Sequence, residues 1–171
     1  MANTYTLIQS VTVGSAGAAS IEFGSIPQTY TDLLILCSTR SGNASVGDDI
    51  LIRFNGLTTN LSSRSVYGTG SGTGSNNYAS IAAVGYTSAA SATASTFGNC
   101  SLYIPNYAST TVNKSVSGDG VAENNATAAV SLLGSGLWSS TAAITQINIL
   151  PNAGSTWVQH SSASLYGIKS S

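Results

Sequence analysis

The chain has 171 residues, 42% of them apolar, yet only 6% carry charge, and five Lys or Arg against six Asp or Glu leave a net charge of −1. An ordinary soluble domain carries about a quarter charged residues; here Ser, Thr, Asn, Gly and Ala stand in their place. Such a surface steers charged substrates poorly and loses little solvation when another protein covers it, which argues against most enzyme classes and against an electrostatic nucleic-acid footprint.

The length fits one domain spanning 1–171, large enough to bury a core without metals or staples. Thr4 to Val13 alternates loosely and reads as a strand. Gly14 to Gly17 reads as a turn and Ala18 to Phe23 as a second strand, the two suggesting a hairpin. Pro27 marks Ser25 to Tyr30 as a connection, because proline fixes φ and removes a donor. Thr31 to Thr39 contains Leu33-Leu34-Ile35-Leu36-Cys37, five apolar residues that predict a strand buried on both sides or central in a sheet. In Ile50 to Asn55, Ile50, Ile52 and Phe54 face one way and Leu51, Arg53 and Asn55 the other; Asn55-Gly56 then signals a tight turn.

Gly68 to Asn77 reads as the most flexible stretch. Tyr78 to Tyr86 and Phe97 to Tyr107 bracket an Ala/Ser-rich loop, and weak strands follow near Thr111 to Ser117 and Thr127 to Leu133. Leu132 to Trp138 could form one short helical turn, which Gly134 and Gly136 weaken. Ala143 to Leu150 and Trp157 to Ile168, separated by Pro151 to Ser155, look like a terminal hairpin. Roughly ten short strands at this spacing imply an all-β antiparallel sandwich, jelly roll or barrel.

Each search for reactive chemistry fails on inventory. The single histidine, His160, lies in the last predicted strand, and no Gly-x-Ser-x-Gly elbow accompanies it. One His with Cys37 and Cys100 offers no paired spacing for zinc, and the two cysteines read as buried free thiols. The acids are Glu22, Asp32, Asp48, Asp49, Asp119 and Glu123. Asp48 and Asp49 are neighbours whose side chains diverge in an extended chain. Convergence with Asp119 and Glu123 would be needed for a carboxylate pair or a weak calcium site, and Asp119 sits in turn-like Ser-Gly-Asp-Gly. The Gly-rich loop lacks the Gly-Lys-Ser/Thr of a phosphate loop. Trp138 and Trp157 suit core packing, sugar platforms or interface anchors, and Tyr78, Tyr86 and Tyr107 are candidate interface aromatics. The expectation is no catalytic, cofactor-binding or metal-binding residue and no cofactor.

No apolar run approaches the roughly 20 residues that span a bilayer, and the first residues lack a signal peptide's basic and apolar regions. Synthesis in a cytoplasm, with no membrane partner, is expected.

Three stretches carry a resemblance: Ile21 to Leu33 (IEFGSIPQTYTDL), Arg53-Phe54-Asn55-Gly56, and Leu102 to Tyr107 (LYIPNY) with the tail Ser164 to Lys169 (SLYGIK). Together the chain resembles a β-rich virion module of tailed bacteriophages, from Thr4 to Lys169. The motifs are structural, so no active-site residue carries over. The resemblance implies a jelly-roll-like sandwich on a virion. A compact domain without heptads or collagen-like repeats suits capsid decoration, cementing the shell, better than a tail-fibre or receptor-binding role, which remains the alternative. The implied partners are the major capsid protein and copies of the chain itself, a trimer being expected from closed symmetry.

Overall fold

The computed structural model describes residues 5–125, 129–152 and 154–169. Thr4, at the start of the first predicted strand, Thr127 and Ala128, at the start of the weak strand Thr127 to Leu133, and Ala153, in the Pro151 to Ser155 connection, lie outside them. Among the described residues, twelve strands form two antiparallel sheets. They are β1 (Tyr5–Thr12), β2 (Ile21–Phe23), β3 (Asp32–Thr39), β4 (Gly47–Phe54), β5 (Leu61–Gly68), β6 (Thr73–Tyr78), β7 (Ala83–Ser88), β8 (Gly98–Ile104), β9 (Lys114–Ala122), β10 (Val130–Trp138), β11 (Ile147–Pro151) and β12 (Ser162–Ile168). The large sheet runs β1-β12-β3-β8-β9-β10-β5-β6 and the small one β2-β11-β4-β7. The molecule is an all-β sandwich.

The pairing is nested. Early strands β1, β2, β3 and β4 pair with late strands β12, β11, β8 and β7, and alternate between the sheets. This overturns both predicted hairpins. β1 pairs β12 and β2 pairs β11 instead of each other, and β11 and β12 lie in different sheets. The connections after Thr12 and Pro151 are long enough to cross the core, so sequence proximity did not dictate pairing. Two inserted segments, β5–β6 and β9–β10, widen the large sheet.

Between the sheets lies one core. Ile50, Ile52 and Phe54 are fully buried on β4, as their alternation predicts, facing Ile35 and Leu33 of β3, Leu102 and Ile104 of β8, and Trp138 and Trp157. β3 is central in its sheet, but only its odd positions face inward; Leu36 is 44% exposed on the other side. Asn55 and Gly56 both adopt positive φ, as the tight turn requires. The Asn55 side chain then holds the incoming chain, accepting from the Thr145 and Gln146 amides at 2.9 and 3.1 Å and donating to the Ala143 carbonyl at 2.9 Å.

The predicted helical turn at Leu132 to Trp138 is strand β10, and the predicted flexible stretch at Gly68 to Asn77 contains β6, leaving a short turn at 69–72. β6 forms by pairing with β5; for β10 the cause is a lane of inward-facing glycines. Gly118 and Gly120 on β9 and Gly134 and Gly136 on β10 face β7. A β-carbon at Gly134 would lie 2.8 Å from the Val84 carbonyl oxygen. Sheets usually pack about 10 Å apart; here the β7 backbone rests on the β9–β10 backbone, which only glycine permits.

Candidate docking surface

The sequence-singled residues do not assemble into a reactive centre. His160 is exposed in the turn before β12, not in the strand, with φ 73°. Asp48 sits on the inner side of β4, accepting from Ser41 at 2.7 Å and Ser155 at 3.3 Å, whereas Asp49 accepts from Tyr78 at 3.1 Å. Burial raises the pKa of both carboxyls. Asp119 projects from the opposite side of the molecule, on the outer face of β9, and accepts from Ser101; Glu123 accepts from the Asn125 amide at 2.7 Å. No cluster of three His, Cys, Asp or Glu occurs among the described residues.

Cys37 and Cys100 are buried, unbridged and opposite each other across β3 and β8, and burial raises the Cys37 thiol to about 12. Trp138 and Trp157 are buried in the core, which excludes sugar platforms and exposed anchors; the Trp157 indole donates to the Ile149 carbonyl at 2.9 Å. Tyr107 is also core, its hydroxyl donating to the Pro27 carbonyl, while Tyr78 and Tyr86 are half-buried.

Two of the five cations are withdrawn from the surface. The Arg40 guanidinium is buried and donates to the carbonyls of Ala90, Ala92, Thr93 and Thr96, tying the 90–96 loop to β3. Lys114 is fully buried with its ammonium on the Val112 and Thr141 carbonyls at 2.7 and 3.2 Å, and burial lowers its pKa. The surface is therefore even less charged than composition implies.

What the fold does build is a broad open face. One side of the large sheet packs on the small sheet; among the described residues nothing packs on the other. Of ten exposed large apolar side chains among the described residues, eight project from it: Tyr5, Leu7, Leu36, Val66, Tyr103, Val121, Leu133 and Leu137. They form two patches. On β1, β12, β3 and β8, Tyr5 and Leu7 stand beside half-buried Ile168, Tyr166 and Leu34, then Tyr103. Within this patch Tyr5, Leu34, Leu36 and Tyr166 ring an apolar depression of about 260 Å³. On β10 and β5, Leu133, 61% exposed, pairs with Val66 to make a ridge. Open grooves flank that ridge, walled by Leu133 and Val66 themselves, with Ser, Asn and Gly between and Asp119 or Arg64 at the margin.

Charge on this face is sparse. Tyr103 donates to Asp32 at 2.8 Å, a bond that raises the phenol's pKa, and the Asn106 amide also bonds Asp32. Arg64 donates to the Ser63 carbonyl at 2.9 Å. Exposed tyrosines with few charges beside them match the core of protein interfaces, where aromatic residues are enriched and charged ones depleted.

Sequence reasoning missed the face because its aromatics come from strands far apart in the chain. One signal was present: the unbroken run Leu33 to Cys37, apolar on both faces of a strand. No protein-family model, curated protein or solved structure matches this chain.

Proposed function

We propose that the chain is a structural protein of a tailed-phage particle, a decoration (cement) protein that binds the assembled shell. The observation that carries this reading is the open, weakly charged outer face of the large sheet. A buried interface of this kind needs no ions stripped of water, so neutral polar and apolar atoms meet the partner directly. The nested strand order supports it by fold analogy. In β1-β12-β3-β8 and β2-β11-β4-β7 the late strands lie between the early ones, which is the pattern of an eight-stranded jelly roll. That architecture is recurrent in viral capsid domains, and analogy of fold is weaker support than the face itself. The jelly-roll assignment and the virion location are parts of this proposal.

A second reading, a tail-fibre or receptor-binding part, draws on the open grooves beside Leu133, where apolar Leu133 and Val66 stand among Ser, Asn and Gly, a mixture that suits the face and hydroxyls of a sugar ring. Quantitative mass spectrometry of purified particles separates the two. Decoration requires hundreds of copies per particle and rebinding of the purified chain to stripped shells; a copy number near a dozen, with saturable glycan binding, would establish the second reading instead.

A further inference from the structure

We propose that the open groove across β10, β5 and β6 receives an acidic segment of the shell protein, its carboxylate pairing with Arg64 and a neighbouring apolar side chain resting on Leu133 and Val66. The inference rests on the reading that this face docks on the shell, and it names what the shell presents there.

Charge complementarity carries the argument. In the strands of the large sheet the cations are Arg64 and Lys114, and Lys114 is buried on the inner side. Arg64 is exposed on the outer face, and among the described residues its guanidinium meets no carboxylate; one N–H goes to the Ser63 carbonyl at 2.9 Å. A guanidinium carries five N–H donors in a planar fork that fits a carboxylate through two parallel bonds. The acids on the same face are already held, Asp32 by Tyr103 and the Asn106 amide, Asp119 by Ser101. The face therefore has room for one anion, at Arg64.

A second copy of the chain is a poor source of that anion. Each of the six acids already accepts an internal hydrogen bond: Glu22 from Asn148, Asp48 from Ser41, Asp49 from Tyr78 and Glu123 from the Asn125 amide, besides Asp32 and Asp119. Pairing with Arg64 of another copy would compete with a bond already made. The matching carboxylate is assigned instead to a different protein, the shell.

Register sets the spacing of the partner's groups. Ser117, Ser135, Arg64 and Asn77 form one cross-strand row, and Leu133, Val66 and Ser75 lie in the next. The rows are two residues apart, about 7 Å. The groove, about 580 Å³, lies along them. An extended segment with an acid at i and an apolar residue at i+2 presents both on one side at that same separation. The apolar residue meets Leu133 and Val66 while the acid meets Arg64. Covering this one cation costs less than covering an ammonium, because a guanidinium is more weakly hydrated, and β5 is one strand from the edge of the sheet.

The test is binding of the purified full chain to shells stripped of it. The variants are Arg64→Gln, Arg64→Lys and Leu133→Ser, all at exposed positions and each checked by circular dichroism and melting. Arg64→Gln should bind about tenfold or more weakly, the loss of a hydrogen-bonded charge partner, and its binding should depend less on salt than the wild type's. Arg64→Lys keeps the charge without the fork and should fall between them. A water-soluble carbodiimide should then join the introduced lysine through an amide to an Asp or Glu of the shell protein, mapped by mass spectrometry. Arg64→Gln binding as tightly as the wild type overturns the carboxylate pairing. A cross-link to another copy of the chain, or none to the shell, overturns it too. If Arg64→Gln binds unchanged while Leu133→Ser loses shell binding, the pairing falls and the docking face stands; if both bind unchanged, both fall. A wild type that ignores shells but binds uronic or sialic acid glycans through Arg64 gives the groove to an acidic glycan and overturns both.

Discussion

Gly134→Ala probes the feature that brings the two sheets together. The added β-carbon would lie 2.8 Å from the Val84 carbonyl oxygen, 3.0 Å from its carbon and 3.1 Å from its α-carbon. Ordinary carbon contacts begin near 3.5 Å, so β7 must retreat by about half an ångström, and what retreats is backbone, not a side chain that can turn aside. Overpacking of this kind costs about 1–3 kcal/mol. Alanine also restricts the unfolded chain, returning about 0.4–1 kcal/mol at a compatible φ. The net loss is about 1–2 kcal/mol, a fall in Tm of about 2–8 °C for a chain of this size. Gly118→Ala, whose β-carbon would press on the same carbonyl still more closely, should lose more. Gly14→Ala, with open space around it, should be neutral or slightly stabilising. Thermal melts of the three variants decide the matter. A Gly134→Ala or Gly118→Ala variant as stable as Gly14→Ala would refute the idea that the glycine lane carries the inter-sheet contact.

Further outcomes follow from the buried polar groups. Burial raises the Asp48 and Asp49 carboxyls above their unfolded value, so their ionisation opposes folding. Stability should rise as pH falls from neutral toward the ordinary carboxylate range. Asp48→Asn, which still accepts from Ser41, should flatten that rise in melts across pH. Asn55→Ala should cost about 2–4 kcal/mol by denaturant unfolding, losing its bonds to residues 143–146 and placing alanine at φ 52°; Asn55→Gly, relieved of the φ penalty, should cost less. Neither Cys37 nor Cys100 should react with a thiol reagent in the native protein, and both should react in denaturant, because buried thiols stay protonated and screened.

What was legible in the sequence was whatever hydrophobic period two could encode. Ile50, Ile52 and Phe54 disclosed β4 and its inner face, and Asn55-Gly56 disclosed the turn that ends it. The strands β9 and β10 were faint because four of their inward residues are glycine, buried by the approach of β7 and not by their own apolarity. Read locally, Gly134 and Gly136 looked like breakers of a helical turn; read against Val84 they are the condition for a strand. Nested pairing was hidden for a different reason: hairpins are the default for neighbouring strands, and nothing local in 13–20 or 152–161 says that the chain crosses to the other sheet. Of the candidate tyrosines, Tyr107 turned inward to Pro27, and the face is instead built by Tyr5, Tyr103 and Tyr166, which only the order β1-β12-β3-β8 brings together.

The claim at the centre of this account is that the outer face of the large sheet is covered in the assembled particle. Hydroxyl-radical footprinting of intact particles against the dilute isolated chain, read by mass spectrometry at Tyr5, Tyr103 and Leu133, tests it most directly. The account expects these three residues to be several-fold protected in the particle, while exposed Leu57 and Val112, which lie off that face, act as the reference. Equal oxidation of all five residues in both samples would contradict it.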